Sequence, residues 1–199
     1  MTDPFSGNPR TEWLVSAANK DRKMQLIDAF SYTDKKGDKW SAPACYVIDG
    51  ASIPRALWTA VGSPYCGMYR RASVVHDKAC EDAVGDDAAR YAADRMFYRA
   101  CRDGGCSWLQ AKILYIGVRI GANWRAASLL EDDRPAEPRT EEDEVDRAAQ
   151  QALKAIADDP EVAAAPDDPE LLEEAVRNAG RRHLAALPPA AVARRVPWK

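Results

Sequence analysis

The chain has 199 residues, 46% of them hydrophobic, and a formal net charge of −3, which bounds it to one or two domains with enough apolar material for a real core. The charge is unevenly placed: residues 131–199 hold 17 acidic and 10 basic side chains, whereas residues 1–130 hold 14 acidic and 18 basic. The resulting +4 body has no Lys/Arg run and no aromatic–basic interleaving, so no nucleic-acid partner is expected, although such a charge is also compatible with an anionic lipid surface.

The polar start, MTDPFSGNPR, predicts no classical signal peptide. The most apolar window, residues 113–122, is too short to span a bilayer and contains Arg119, so no transmembrane segment is expected. Cys45, Cys66, Cys80, Cys101 and Cys106 are odd in number and contain no C-x-x-C pair, which argues against structural zinc and for reduced thiols.

In chain order, residues 11–48 read as strands. Glu12-Trp13-Leu14-Val15 is short and apolar-rich, and a second run covers 23–32. The Asp34-Lys35-Lys36-Gly37-Asp38 cluster supplies a hairpin turn into a third run over 40–48, part of which Pro43 demotes to an edge or a bend. Asp49-Gly50 signals a tight turn, and Ser52 is placed to cap a short helix beginning near Pro54. From Tyr69 the period changes from two to about 3.6, with Ala72, Val75, His76, Ala79, Cys80 and Ala83 on one helical face. Gly85 ends that helix and Asp86 or Asp87 caps the next, on which Arg90, Asp94, Phe97 and Cys101 share a stripe. Gly104-Gly105 closes it. A third helix over 107–127 has Leu109, Ile113, Ile116, Ile120 and Trp124 as its expected core face, flanked by Trp108, Lys112, Tyr115 and Arg119 as rim packing or as a membrane-interface face.

Beyond Leu130 the composition narrows to Ala, Glu, Asp, Pro and Arg, with helices over about 140–157 and 169–186 whose apolar faces are thin. The expected organisation is therefore a flexible 1–10, an α+β core domain over 11–130, and an acidic Ala/Pro-rich helical tail over 131–199 that is separable from the body. The core is a small antiparallel sheet packed on a three-helix body.

The residues that could carry chemistry follow from symmetry about one turn. If the first two helices form an antiparallel hairpin centred on Gly85, His76 and Asp94, nine residues to either side, lie level with each other. Both sit on inward-facing stripes, and a buried carboxylate requires a partner. A carboxylate on one ring nitrogen sets the tautomer and leaves the other nitrogen to act as a base. The same pair would also serve as a structural polar network. Asp77 points about 100° away around the helix. It could ligate a hard cation such as Ca2+ together with backbone carbonyls of the 62–67 loop, whose Gly62 and Gly67 permit close approach. Cys80, one turn beyond His76, reads as a core residue.

Three ordered motifs, Val47-Ile48-Asp49-Gly50-Ala51-Ser52-Ile53-Pro54, Arg71-Ala72-Ser73-Val74-Val75-His76-Asp77 and Ala93-Asp94-Arg95-Met96-Phe97, resemble the phage and prophage family known as domain of unknown function 1353, over about residues 20–127. That resemblance implies a phage or prophage origin; a place in the host cytoplasm or the virion is expected, and Asp49 and Ser52, read first as a turn and a helix cap, stand as further candidate site residues. His76-Asp77-Lys78-Ala79-Cys80 followed by Ala93-Asp94-Arg95-Met96-Phe97 is also similar to the catalytic helices of secreted and parvoviral phospholipases A of the sn-2 type. This second resemblance implies that His76 activates a water, Asp77 binds calcium and Asp94 orients His76. Three readings follow: a calcium-assisted hydrolase of phospholipid or another ester, a non-enzymatic virion, tail or assembly protein that meets other phage structural proteins, or an intracellular interaction module acting on a host protein. The first requires His76 beside an open pocket, the second its complete burial.

Overall fold

The computed structural model describes residues 3–15, 23–48, 53, 57, 67–128 and 139–184, with side chains described except over 123–146 and at 184. Its elements are β1 (Thr11–Trp13), β2 (Met24–Leu26), β3 (Phe30–Thr33), β4 (Lys39–Ala42), β5 (Val47–Ile48), α1 (Arg70–Asp82), α2 (Asp87–Asp103), α3 (Trp108–Ser128), α4 (Arg139–Ala157), α5 (Pro160–Ala164) and α6 (Pro169–Leu184). The chain divides into two compact units, Met1–Ser52 with Gly62–Ala111, and Ile53–Val61 with Lys112–Lys199.

The first unit is α+β, as the change of period predicts. Its strands form two small antiparallel sheets rather than one, with orders β1-β2-β5 and β3-β4. The expected run over 23–32 is broken by a bend at Ile27 and Asp28, and the run over 40–48 by the turn that follows Pro43, where the Pro43 carbonyl accepts from Tyr46 N. The β3–β4 hairpin turns where the charged cluster places it. The Asp34 carboxylate accepts from the backbone N–H groups of Lys36 and Asp38, at 2.9 and 3.0 Å, and Gly37 takes φ +91°. Alternate residues Phe30, Tyr32 and Ala42 turn inward, with Leu26 from β2 also buried. α1 packs against β3 and β4. The Tyr32 hydroxyl donates to Asp103 Oδ2 at 2.8 Å, so β3 is tied to the far end of α2. Burial first, then the Asp103 carboxylate, hold that phenol protonated well above its ordinary range.

α1 and α2 are joined by residues 83–86, with Gly85 exposed at φ +83°, a value that favours glycine. Asp86 caps α2 by accepting from Ala89 N at 3.0 Å, and Gly104 and Gly105 end it.

α3 corrects one expectation. On α3, Leu109 is 58% exposed and Ile113 half-buried, while Ala111, Leu114, Tyr115, Ile116, Val118 and Ile120 are buried. The inward surface is thus wider than the expected stripe, because the helix is covered almost all round from Ala111 to Gly121. Lys112 and Arg119 are buried too, which removes the membrane-interface reading of that face. Among the described residues no helix is long and apolar enough to cross a membrane.

The compact units divide within α3, between Ala111 and Lys112, and the region after residue 130 belongs with the second of them. Ala148, Ala149, Ala152, Leu153, Ile156, Val162, Leu172, Ala175, Val176 and Ala179 are buried. Small faces suffice because alanines allow close helix approach, so a thin apolar stripe still excludes water. The short helix α5 is held at both ends by side chains. Asp159 accepts from Glu161 N at 3.0 Å, with Pro160 preset at the first turn. At the other end the buried Lys112 ammonium donates to the carbonyls of Val162, Ala163 and Ala165 at 2.7, 3.2 and 3.3 Å. Those acceptors lie at the C-terminal end of α5, the negative end of its dipole, and the Val162 carbonyl also accepts from Ala165 N at 3.3 Å. Asp159 is further clamped by Arg182 Nη2 at 2.8 Å and by His183 Nε2 at 2.8 Å.

Two outcomes test this arrangement. Lys112→Met keeps the aliphatic length but removes the ammonium from the α5 carbonyls, and should lower stability in urea titration by about 1–3 kcal/mol. An unchanged midpoint would show that the ammonium contributes nothing. For Asp159, burial opposes ionisation, but the hydrogen bonds from Arg182, His183 and Glu161 N outweigh it and hold the carboxyl below its ordinary value. Its contribution is therefore full above the unfolded pKa of about 3.9 and is lost as pH falls through the lower folded value. Asp159→Asn should destabilise at pH 7, and its deficit relative to the parent chain should shrink in acid melts below about pH 4.

Candidate site at the helical hairpin

The α1–α2 hairpin brings His76 and Asp94 together as the symmetry about Gly85 requires. His76 Nε2 lies 2.7 Å from Asp94 Oδ1. Two further groups share this point. Cys80 Sγ is 3.3 Å from the same Nε2, and Arg90 Nε is 3.2 Å from the same Oδ1. Phe97 lies against the imidazole, ring centroids 4.6 Å apart at 33°. Sequence reasoning set Cys80 aside as a core residue and placed Arg90 only on a stripe. The signal was present in both cases: Cys80 follows His76, and Asp94 follows Arg90, by four residues, the spacing that stacks side chains on one helical face.

The geometry decides the tautomer. An Nε2–H proton can serve the carboxylate at 2.7 Å or the sulfur at 3.3 Å, and a charge-assisted bond of the shorter length prevails. With Nε2 protonated, the lone pair of the neutral ring resides on Nδ1. Asp94 Oδ1 accepts from both the imidazole and the Arg90 guanidinium, so its negative charge is balanced inside the fold. Because Cys80 and Asp94 meet one nitrogen rather than opposite ones, the three do not form a relay in which histidine passes a proton from a thiol toward an orienting acid.

The open pocket that the hydrolase reading requires is not seen at the cluster among the described residues. His76 and Asp94 are 0% exposed, and Asp77 and Cys80 6%. A cleft of about 780 Å³ lies elsewhere in the unit, lined by Asp3, Phe5, Ser31, Lys35, Lys39 and Asp103 among others, and a second of about 150 Å³ lies beside β1 and the start of α1. Neither has His76, Asp77 or Asp94 in its lining.

The expected ion site also changes. The Gly67 carbonyl accepts from Arg70 N at 3.4 Å at the start of α1. Asp77 lies seven residues beyond Arg70, about 10 Å along the helix axis. Oxygens that share a calcium each lie about 2.3–2.6 Å from it, so Gly67 and Asp77 do not ligate one ion. Asp49, Ser52 and Gly62 lie outside the described residues.

Against known families, residues 24–118 match the family described as "Protein of unknown function (DUF1353)". This segment belongs to DUF1353. His76, Asp77, Cys80, Arg90 and Asp94 all fall inside the DUF1353 match. The chain is 33% identical to the uncharacterized protein y4jT of Sinorhizobium fredii, over 67% of its own length and 39% of that relative. It is 35% identical to the uncharacterized protein y4iH of the same organism, over 52% of its length and 43% of that relative. The chain thus spans about two-fifths of the length of these curated relatives. No solved structure matches.

The buried pair makes a clear thermodynamic prediction. Asp94→Ala strips Arg90 and His76 of their shared acceptor, and breaking a buried charge pair from one side costs about 3–5 kcal/mol. Asp94→Asn preserves shape and should cost less, about 1–3 kcal/mol. Equal, negligible losses in urea titrations of the two variants would contradict the balance described.

Proposed function

We propose that the DUF1353 segment is a hydrolase domain of the phospholipase A kind, acting on phospholipid or another ester, with His76 as general base and Asp94 as its positioning residue. The observation that supports it is the bond between His76 Nε2 and Asp94 Oδ1, 2.7 Å long, on a two-helix hairpin. With Asp94 on Nε2, the base function falls to Nδ1. Once an opening of the buried cluster admits water and substrate, Nδ1 would take a proton from water as the oxygen attacks the ester carbonyl. The imidazolium so formed would be stabilised by the Asp94 carboxylate and would return its proton to the leaving alkoxide. Asp77, next in sequence to His76, is a buried hard-oxygen donor and would supply one ligand to calcium, which polarises an ester carbonyl when bound.

The complete burial of His76 and Asp94 favours a second reading. In that reading the cluster fixes the helix pair in a non-enzymatic phage virion or assembly protein, and no substrate enters.

One assay separates the two. Purified full-length chain should hydrolyse mixed phosphatidylcholine–phosphatidylglycerol vesicles in calcium, with the rate removed by chelation and by Asp77→Asn. His76→Ala, checked by circular dichroism for an intact fold, should lower the rate by about 10²–10⁴, the usual share of a general base. Hydrolysis that persists in His76→Ala, or a parent chain inert on phospholipid and simple aryl esters alike, would sink the hydrolase reading.

A further inference from the structure

We propose that His76, Cys80 and Asp94 form a binding site for a borderline-soft divalent cation of the zinc class. The inference does not rest on the hydrolase reading, because it concerns what the cluster ligates and not what it hydrolyses.

Three chemically different donors converge here from two helices, an imidazole nitrogen and a thiol on α1 and a carboxylate oxygen on α2. Their ligand atoms all lie within 4.8 Å of one another and all three residues are buried. The four-residue spacing sets Nε2 and Sγ on one face of α1, and the turn at Gly85 brings Asp94 level with them. Calcium and magnesium select all-oxygen sites, whereas nitrogen, thiolate and carboxylate together suit zinc and its neighbours.

Two of the three separations lie within about half an ångström of those required, and the third, Sγ to the carboxylate, is no more than 4.8 Å and would close as the ion binds. Zinc bonds of about 2.0–2.3 Å in a tetrahedron hold ligand atoms about 3.3–3.6 Å apart. The Nε2–Sγ separation of 3.3 Å is already near that range. The Nε2–Oδ1 separation of 2.7 Å is a hydrogen bond and must open, by about half an ångström to reach the tetrahedral value, within reach of a small χ adjustment. Charge also balances. A thiolate and a carboxylate neutralise a dication, and the Arg90 guanidinium, 3.2 Å from Oδ1, would then act as the outer hydrogen bond that orients a ligating carboxylate. Three protein donors leave the fourth position to water or to a donor outside the described residues.

Proton balance follows from the geometry. The metal takes the Nε2 lone pair, so the ring proton moves from Nε2 to Nδ1. The Cys80 S–H bond breaks, its electron pair goes to the metal, and its proton goes to solvent. One proton is thus released per ion. In the loaded state Nδ1 carries hydrogen, so metal occupancy and base chemistry at His76 exclude each other.

The test uses full-length chain stripped with chelator and then titrated with zinc(II) or cobalt(II). Calorimetry in buffers of different ionisation enthalpy should give one ion bound and about one proton released per chain. The cobalt form should show a thiolate-to-metal charge-transfer band that disappears in Cys80→Ser and persists in Cys101→Ser. Affinity should fall by about 100-fold in His76→Gln, and by about 10–100-fold in Arg90→Gln, the usual effect of losing an outer-shell partner. X-ray absorption on the zinc-loaded parent chain needs no variant and should show one sulfur among otherwise nitrogen and oxygen neighbours. A folded chain that binds no ion, a cobalt band unchanged in Cys80→Ser, or two sulfurs at the metal (as a Cys101–Cys106 site would give) would each overturn the proposal. These readouts are independent of ester hydrolysis, so an inert enzyme and an empty metal site are distinguishable failures.

Discussion

A carboxylate with no exposed surface organises the first unit. Asp94 sits mid-way along α2, where its charge would be intolerable alone. Its Oδ1 is reached from two sides, by the His76 imidazole across the hairpin and by Arg90 from one turn earlier on its own helix. Sliding α1 against α2 by one residue would move Nε2 by about 1.5 Å along the axis and break a bond of 2.7 Å. The polar pair therefore specifies a register that Ala72, Ala79, Ala93 and Ala100, small and interchangeable, could not. Phe97, tilted against the ring, adds an apolar wall to the pair.

The second unit solves the same problem with the opposite charge. Lys112 is buried on α3, and burial pushes its ammonium toward deprotonation. It meets three carbonyls at the end of α5, partial charges that require neither ionisation nor desolvation of a second ion. α5 has only five residues and would not persist alone. It is kept by the ammonium at one end and by Asp159, itself anchored to α6 through Arg182 and His183, at the other. In both units an ionisable side chain inside the fold fixes where helices stop or meet, while small apolar residues fill the space between.

The crowding at His76 Nε2 bears on chemistry as well as on folding. Asp94 and Cys80 both address one nitrogen, and the difference between 2.7 and 3.3 Å settles which holds the proton. The same convergence that makes a poor nucleophile relay makes a reasonable ligand set, since a cation accepts several donors where a single proton accepts one partner. The DUF1353 match covers the whole cluster, from α1 through α2 into α3.

Much of this was legible in the chain itself. Gly37 and Gly85 at turns, Asp86 as a cap and the period change near Tyr69 are local signals, because the backbone conformations they impose depend on a few neighbouring residues. The meeting of His76 with Asp94 was legible for the same reason, since an antiparallel hairpin with a known turn places equidistant residues level. The tertiary structure alone decided the rest. It split the strands into two sheets, turned Leu109 outward and buried Lys112. It divided the compact units inside α3 and placed Arg90 and Cys80 on the buried His76–Asp94 bond. Burial is the reason. Periodicity states which residues share a face, but whether that face meets water, a second helix or a row of carbonyls depends on segments far along the chain.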